Sequence, residues 1–196
     1  EPYASSTCEM VAEILQYIVD KPKLKNIEAD AMYSGILVDT DNFVIKAGVR
    51  TFEAAAFLRR AGADVTRVRK MFREDMEHCR IRTAIINKAE IYMNEFAIST
   101  FDGANVSGAT VVGAKAANAL LNIQGIRGSF VLTSLQDCIY ISARSIDELN
   151  VQVIMEKFNG GGHLTMAAAQ LKDVTLEEAK QQLEDVLQQM REDGDI

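Results

Sequence analysis

Tryptophan is absent from this sequence, and cysteine, histidine and proline are scarce, at three, two and two among 196 residues. The three cysteines, Cys8, Cys79 and Cys138, are odd in number and far apart, and no Cys-x-x-Cys or Cys/His spacing occurs. This pattern argues against a disulfide framework or a zinc site and favours a reducing compartment. We therefore predict a cytoplasmic protein in which the cysteines are core thiols.

Long apolar runs are also missing. No run approaches the roughly 20 residues that a membrane helix needs, and no signal-peptide pattern is visible. We expect this segment to make no contact with a membrane. Because the sequence opens on Glu1 and leads almost directly into a capped helix, we also expect it to be a piece of a longer protein.

Positive charge is in short supply. The chain has 21 lysines and arginines against 28 aspartates and glutamates, and its net charge is −7. Duplex nucleic acid is bound through clustered cations, so we expect no duplex partner. A local basic pocket could still hold a small phosphorylated ligand.

The sequence predicts two domains, residues 1–79 and 80–196. In the first, Ser6 and Glu9 form a capping box before a helix. That helix is predicted to carry an apolar stripe of Val11, Ile14, Leu15 and Ile18. Residues 64–93 contain no glycine or proline and interleave charges of both signs, which favours a solvated helical connector over a nucleic-acid-reading helix. His78 lies within it, and we interpret it as a solvated ring.

The second domain is predicted to be α+β. A strand over residues 95–101 and a helix over 114–123 precede a β-hairpin that turns at Gln136-Asp137. A final helix begins at the capping box of Thr175 and Glu178. Its apolar face could serve a homodimer, although packing on its own sheet is favoured.

The most informative stretch is Gly160-Gly161-Gly162-His163, which follows an amphipathic helix and precedes a small apolar run. One glycine would be enough to end the helix, and the histidine could then be a solvated imidazole. Three glycines also leave the backbone bare, so that an anionic group can come close. We favour a ligand-binding loop, although neither a phosphate-loop nor a dinucleotide pattern is present.

Ser142 and Arg144 lie near the end of a predicted strand. Strand alternation directs both to one face, and Ile141 and Ala143 to the other. The planar guanidinium of arginine can grip a phosphate or a carboxylate with two parallel hydrogen bonds. Together with the glycine stretch, these residues predict one anion pocket.

Asp39 and Asp41 follow an apolar stretch and are candidate ligands for a hard divalent cation. A pair of such ions can activate water against a phosphodiester. The chain does not complete such a site by itself.

These residues carry a recognisable resemblance. Gly35-Ile36-Leu37-Val38-Asp39-Thr40 resembles the last metal-binding motif of the DHH phosphoesterase family, and residues 158–168 resemble the signature of the DHH-associated domain. Residues 1–7, 48–55 and 150–156 are similar to the cyclic-di-AMP phosphodiesterases of Gram-positive bacteria, which are attached to the membrane by an N-terminal segment.

The resemblance implies an α/β fold: a helical remnant of the DHH domain, a helical connector and a mixed-sheet DHH-associated domain. It also implies two manganese ions with a bridging hydroxide in the first domain and a second domain that holds the nucleotide across the cleft. Asp39 would be a metal ligand, whereas Arg144, Ser142 and residues 160–163 would bind substrate. The family's Asp-His-His motif does not occur in this sequence, so we predict a fragment without phosphodiesterase activity of its own.

Three functions remain open at this point. The first is nucleotide binding within a cyclic-di-AMP phosphodiesterase, which would yield the linear dinucleotide. The second is a relative acting on oligoribonucleotides or nucleoside bisphosphates, and the third is an RNA-binding module. The acidic balance of the chain weighs against the third.

Overall fold

The computed structural model describes residues 4–18, 22–146 and 149–196. These residues form eight helices and six strands, which confirms the predicted mixed α/β class. The chain divides into two compact units, Glu1–Glu74 and Asp75–Ile196. The units divide at Glu74, whereas the domain division drawn from the sequence lies at residue 79.

The first unit is helical. Its helices are α1 (Thr7–Ile18), α2 (Asn26–Asp39), α3 (Val49–Arg60) and α4 (Val65–Met71). They pack around a small core in which alanine is frequent, which lets the helices approach closely. The fully buried members of this core are Ala12, Ala29, Ile36, Leu58 and Val68.

Side-chain caps begin α1 and α4, and the first of them was predicted from the sequence. The Ser6 hydroxyl accepts a hydrogen bond from the Glu9 amide at 3.1 Å, and the Asp64 carboxylate accepts one from the Arg67 amide at 2.9 Å. The Glu9 carboxylate turns to the amide of Ser5, at 3.2 Å, and also accepts from the Ser5 hydroxyl. Both caps satisfy amides that a helix leaves without a partner in its first turn.

The apolar stripe predicted for α1 is not the buried face. Val11, Ile14 and Ile18 are 41, 53 and 71% exposed, whereas Glu9 and Ala12 are buried. The periodicity identified the helix correctly, but α1 packs on α2 and α3 through a neighbouring face. Within the described part of the chain, the stripe stays largely uncovered.

The continuous connector predicted over residues 64–93 is wrong. Helix α4 ends at Met71, and α5 (Met76–Asn87) begins after four intervening residues. The last of these, Asp75, caps α5 by accepting from the His78 amide at 2.8 Å. A short strand, β1 (Glu90–Tyr92), follows α5. Charge patterning cannot reveal this break because a capping aspartate resembles any other acidic residue of a solvated helix.

The second unit is a six-stranded sheet with the order β1-β2-β3-β4-β6-β5. The remaining strands are β2 (Phe96–Asp102), β3 (Gly128–Leu135), β4 (Cys138–Ser145), β5 (Gly161–His163) and β6 (Met166–Lys172). Strands β2 and β3 are parallel, and every other neighbouring pair is antiparallel. The predicted hairpin of β3 and β4 is confirmed, with Gln136 in the turn at a φ of 56°.

Helices cover both faces of this sheet. Helix α6 (Ala109–Leu120) packs with α5 against Val131 and Ala97, whereas α7 (Val151–Glu156) and α8 (Leu176–Asp193) pack against Phe130 and Leu132. Side chains alternate along β3, so Val131 points to one face and Phe130 and Leu132 point to the other. The apolar face of α8, including Leu183 and Leu187, is buried in this core.

The prediction of core thiols is wrong. All three cysteines are free and half-buried. Cys138 shows the reason, since it lies on the same face of β4 as Ser142 and Arg144, and its sulfur contacts the amide of Gln170 at 3.0 Å. No helix in the described ranges is long and apolar enough to cross a membrane.

Acid should destabilise the first unit through Asp30. This buried carboxylate accepts from Arg67 Nε at 2.6 Å and from the Asp64 amide at 2.7 Å, and these bonds hold its pKa below the usual value. A depressed pKa stabilises the fold above the unfolded value of about 4, and this stabilisation is lost as the pH falls through the folded pKa.

We therefore expect the urea midpoint, followed by circular dichroism, to fall between pH 5 and pH 3. Asp30→Asn should lower the midpoint at pH 7 and flatten its pH dependence. Asp137→Asn, at an exposed turn, is the matched control and should leave both unchanged. An Asp30→Asn variant with the wild-type pH profile would contradict this assignment.

Candidate nucleotide-binding site

Only the first residue of the glycine stretch takes part in closing α7. The residue in the left-handed conformation at the end of that helix is Asn159, with a φ of 55°. The amides of Phe158 and Gly160 both donate to the Met155 carbonyl, at 3.0 and 2.9 Å. The helix is therefore closed by Asn159 and the amide of Gly160, and Gly161 and Gly162 are not needed to end it.

The predicted loop is instead an edge strand. Gly161–His163 forms β5 and pairs antiparallel with β6, and the two are joined by the turn Leu164-Thr165. The turn is held at both of its carbonyls, which accept from the Val151 amide at 2.9 Å and from the Ser145 amide at 3.0 Å. Sequence periodicity missed this strand because glycine has a low strand propensity.

The three glycines differ in their surroundings. A Cβ on Gly160 would lie 2.7 Å from the Cβ of Ala169, and one on Gly162 would lie 2.5 Å from the Cα of Ala167. At Gly161 a Cβ would meet nothing within 4 Å. Two glycines are thus required by the close approach of β5 to β6, whereas the middle one faces open space.

The strand register brings four of the six predicted substrate-binding residues to one face of the sheet, whereas Gly160 and Gly162 lie against β6 on the core side. Arg144 on β4 is opposite Met166 on β6, which is in turn opposite His163 on β5. The next row contains Ser142 and Gly161. Directly opposite residues of an antiparallel pair project to the same side, so all four share one face across roughly 10 Å of sheet.

This face is the one on which α6 packs at β3. Towards β6 and β5 the face is open, since Ala168 and His163 are exposed. Ile141 and Ala143 of β4 are buried in the opposite core, as the alternation predicted. Met166 therefore lies between Arg144 and His163, and the neighbouring row consists of small residues, buried Ser142, Ala168 and Gly161.

Arg144 is half-buried, and this burial lowers the pKa of its guanidinium. Its Nε donates to Oδ1 of Asn118 at 2.8 Å, and its Nη1 donates to the carbonyl of Ala143 at 2.8 Å. No carboxylate of the described residues forms an ion pair with it. Among the described residues, its hydrogen-bond acceptors are therefore both neutral.

Asn118 was not predicted from the sequence. It is an exposed residue of α6 and lies 26 positions before Arg144. An asparagine on an alanine-rich helix carries no signal that could identify it. Its relevance depends on the packing of α6 against the sheet.

The two histidines have different surroundings. His163 is exposed at the edge strand. His78 is not the solvated ring that we predicted: its Nδ1 lies 2.7 Å from Oδ2 of Asp75, and its Nε2 lies 3.0 Å from the Ser107 carbonyl. His78 therefore ties the start of α5 to the segment before α6.

Asp39 does not form a metal site with its described neighbours. It is the exposed last residue of α2, and its charge adds to burial in raising the pKa of the Cys8 thiol. No group of three or more histidine, cysteine, aspartate or glutamate residues in the described ranges is arranged to hold a metal ion. A single carboxylate does not fit a two-manganese centre, whose ions need several oxygen ligands each.

Comparisons with known proteins agree with this architecture. Residues 96–192 match the DHHA1 domain family. The chain is 48% identical over 184 residues to cyclic-di-AMP phosphodiesterase PdeA of Listeria monocytogenes, covering 93% of this chain and 28% of that protein. It is 45% identical over 195 residues to cyclic-di-AMP phosphodiesterase GdpP of Geobacillus thermodenitrificans, covering 99% of this chain and 30% of that one.

A solved structure of an exopolyphosphatase-related protein from Bacteroides fragilis matches with a TM-score of 0.86, covering 97% of this chain and 58% of that chain. At 22% identity this match establishes a shared fold alone. Residues 96–192 are a DHHA1 domain, as the resemblance predicted for the second half of the chain. It spans about three tenths of the length of the two curated relatives.

The glycines offer a matched pair of substitutions. Gly162→Ala should lower the melting temperature, because the new methyl group would collide with the backbone of β6. Gly161→Ala should leave the melting temperature within about 2 °C of wild type, since its Cβ would meet no atom. Thermal unfolding by circular dichroism measures both, and equal losses would contradict the close approach of β5 and β6.

Proposed function

We propose that this chain is the C-terminal part of a metal-dependent phosphodiesterase that hydrolyses cyclic-di-AMP to the linear dinucleotide. Its likeness to two cyclic-di-AMP phosphodiesterases supports the substrate class. In this proposal the DHHA1 domain supplies the nucleotide-binding surface. The parent is attached to the membrane by a segment outside this chain and keeps this part in the cytoplasm.

The observation that carries the proposal is the environment of Arg144. Removing a cation from water is costly unless a counter-charge or hydrogen bonds offset the loss. Here the guanidinium is half-buried, and its recorded acceptors are an amide oxygen and a backbone carbonyl. A phosphate on the open face would provide a negative charge that these two neutral acceptors do not.

The other site residues fit a nucleotide by their chemistry. Gly161 has open space where a side chain would stand, so a ligand can approach the sheet there. The imidazole of His163 and the hydroxyl of Ser142 can each donate and accept hydrogen bonds. Arg144 would hold a phosphate, while His163 and Ser142 would bind the base or a second phosphate group.

Asp39 is the residue of this chain that would bind a metal ion. We propose that its carboxylate is one manganese ligand in the parent protein and that the remaining ligands come from outside this chain. Manganese at such a site would supply activation of water. The residues of this chain contribute substrate binding and this single carboxylate, and they do not complete the reaction.

Arg144→Ala should weaken the binding of cyclic-di-AMP by about tenfold to a hundredfold, because a charge-assisted hydrogen bond to phosphate is lost. Isothermal titration calorimetry on the 196-residue chain measures this change. Arg80→Ala removes an exposed arginine from α5 and is the matched control, which should bind as wild type. Unchanged affinity in Arg144→Ala would overturn the anion site.

The same titration separates the other candidate functions. We expect wild-type chain to prefer cyclic or linear diadenosine nucleotide over tRNA. A preference for linear oligoribonucleotides would favour the oligoribonuclease alternative. Binding of tRNA alone would overturn both phosphodiesterase proposals in favour of an RNA-binding module.

The isolated chain should not turn over cyclic-di-AMP when manganese is added, because one carboxylate does not hold a pair of metal ions. Chromatographic detection of the linear dinucleotide checks this prediction. The intact parent is the positive control, and its Asp39→Asn variant should lose most activity. Robust turnover by the isolated chain would contradict the proposed ligand set.

A further inference from the structure

Only part of the Arg144 side chain is available to a ligand. A guanidinium has five N–H groups. The Nε–H is taken by Asn118, and one N–H of Nη1 is taken by the Ala143 carbonyl. With respect to the part of the chain that the structure describes, one N–H on Nη1 and two on Nη2 remain for a ligand.

We propose that Asn118 is a positioning residue of the nucleotide site: it holds Nε of Arg144 so that the Nη end of the guanidinium is presented to two oxygens of a phosphate. This inference rests on the proposed function, in which Arg144 binds the phosphate. It adds a residue that does not touch the ligand but fixes the one that does. It also specifies which edge of the guanidinium does the binding.

Asn118 is carried by a backbone that packing holds in place. Its neighbours on α6, Ala116, Ala117 and Leu120, are fully buried against the sheet. The Ser129 hydroxyl of β3 donates to the Ala117 carbonyl at 2.7 Å, which joins helix and sheet one residue before Asn118. The amide oxygen is thus anchored next to β4.

Fixing Arg144 in advance has a direct effect on affinity. An arginine side chain loses considerable rotamer entropy when a ligand immobilises it. With Nε and Nη1 already bonded, much of that ordering takes place on folding instead of on binding. The ligand then retains a larger share of its interaction energy with the guanidinium.

The choice of acceptor also matters for charge. An amide oxygen satisfies the Nε–H without neutralising the guanidinium, so the full positive charge stays directed at the ligand. A carboxylate at the same position would satisfy the same N–H and offset part of that charge. Positioning itself needs only an oxygen acceptor, and because residue 118 is exposed, solvent screens an added charge, so a carboxylate there should weaken binding only slightly.

The geometry restricts how a phosphate can be gripped. An arginine can present two parallel N–H groups either along its Nε edge or at its Nη end. The Nε edge is engaged by Asn118. A two-oxygen grip must therefore use one N–H each from Nη1 and Nη2.

Substitutions at Asn118 test this role. Asn118→Leu keeps the approximate shape and removes the acceptor, and it should weaken cyclic-di-AMP binding about tenfold in calorimetry. Asn118→Asp keeps an oxygen acceptor and should stay within about threefold of wild type. Asn122→Leu makes the same change at an exposed turn residue four positions later and should bind as wild type.

A double variant distinguishes positioning from a general effect on the fold. In an Arg144→Ala background, Asn118→Leu should cause no further loss of affinity. A further loss there would indicate a structural role and overturn the inference. Wild-type affinity in Asn118→Leu, together with weak binding by Arg144→Ala, would overturn the inference and leave the proposed function intact.

A spectroscopic readout works without any nucleotide. The Nε–H resonance of Arg144 should be observed in the wild-type chain, should broaden or shift in Asn118→Leu and should return in Asn118→Asp. An unchanged resonance in Asn118→Leu would overturn the positioning role. Wild-type affinity in Arg144→Ala would instead overturn the proposed function and the inference with it.

Discussion

The register of β4, β6 and β5 is the constraint on which the site depends. It sets Arg144 opposite Met166 and Met166 opposite His163. If the register of β4 shifted by one residue, the Arg144 side chain would point into the core, where Ala143 now lies. The apolar side chains of β4 would then be exposed. The carbonyls of Leu164 and Thr165 prevent such a slip, since both are bonded to the rest of the unit.

The arginines of the second unit show two uses of the same side chain. Arg127 and Arg191 both pair with the Glu95 carboxylate, so their charges are satisfied within the fold. Arg144 is half-buried with neutral acceptors. A paired arginine stabilises the fold and has little left to offer a ligand. An arginine bonded to neutral groups keeps its charge for an incoming anion, at some cost in stability.

Local patterns predicted the parts of the fold that depend on neighbours in sequence. The hairpin of β3 and β4, the alternation along β4 and the Thr175 cap of α8 all follow from residues close together in the chain. Such patterns do not predict contacts between segments that are distant in the sequence. The buried face of α1 depends on where α2 and α3 lie, and the role of Asn118 depends on a helix packing beside a strand 26 residues away.

The glycine stretch shows why a motif and a site are different things. Gly160 and Gly162 are required by the backbone of β6, so they would be needed even if no ligand were ever bound. Gly161 alone has open space where a side chain would be. A run of three glycines therefore has two physical causes, and the sequence cannot separate them. The strand register favours nucleotide binding, because it places Gly161 and His163 on the same face as Arg144. This arginine has no acidic partner in the described chain.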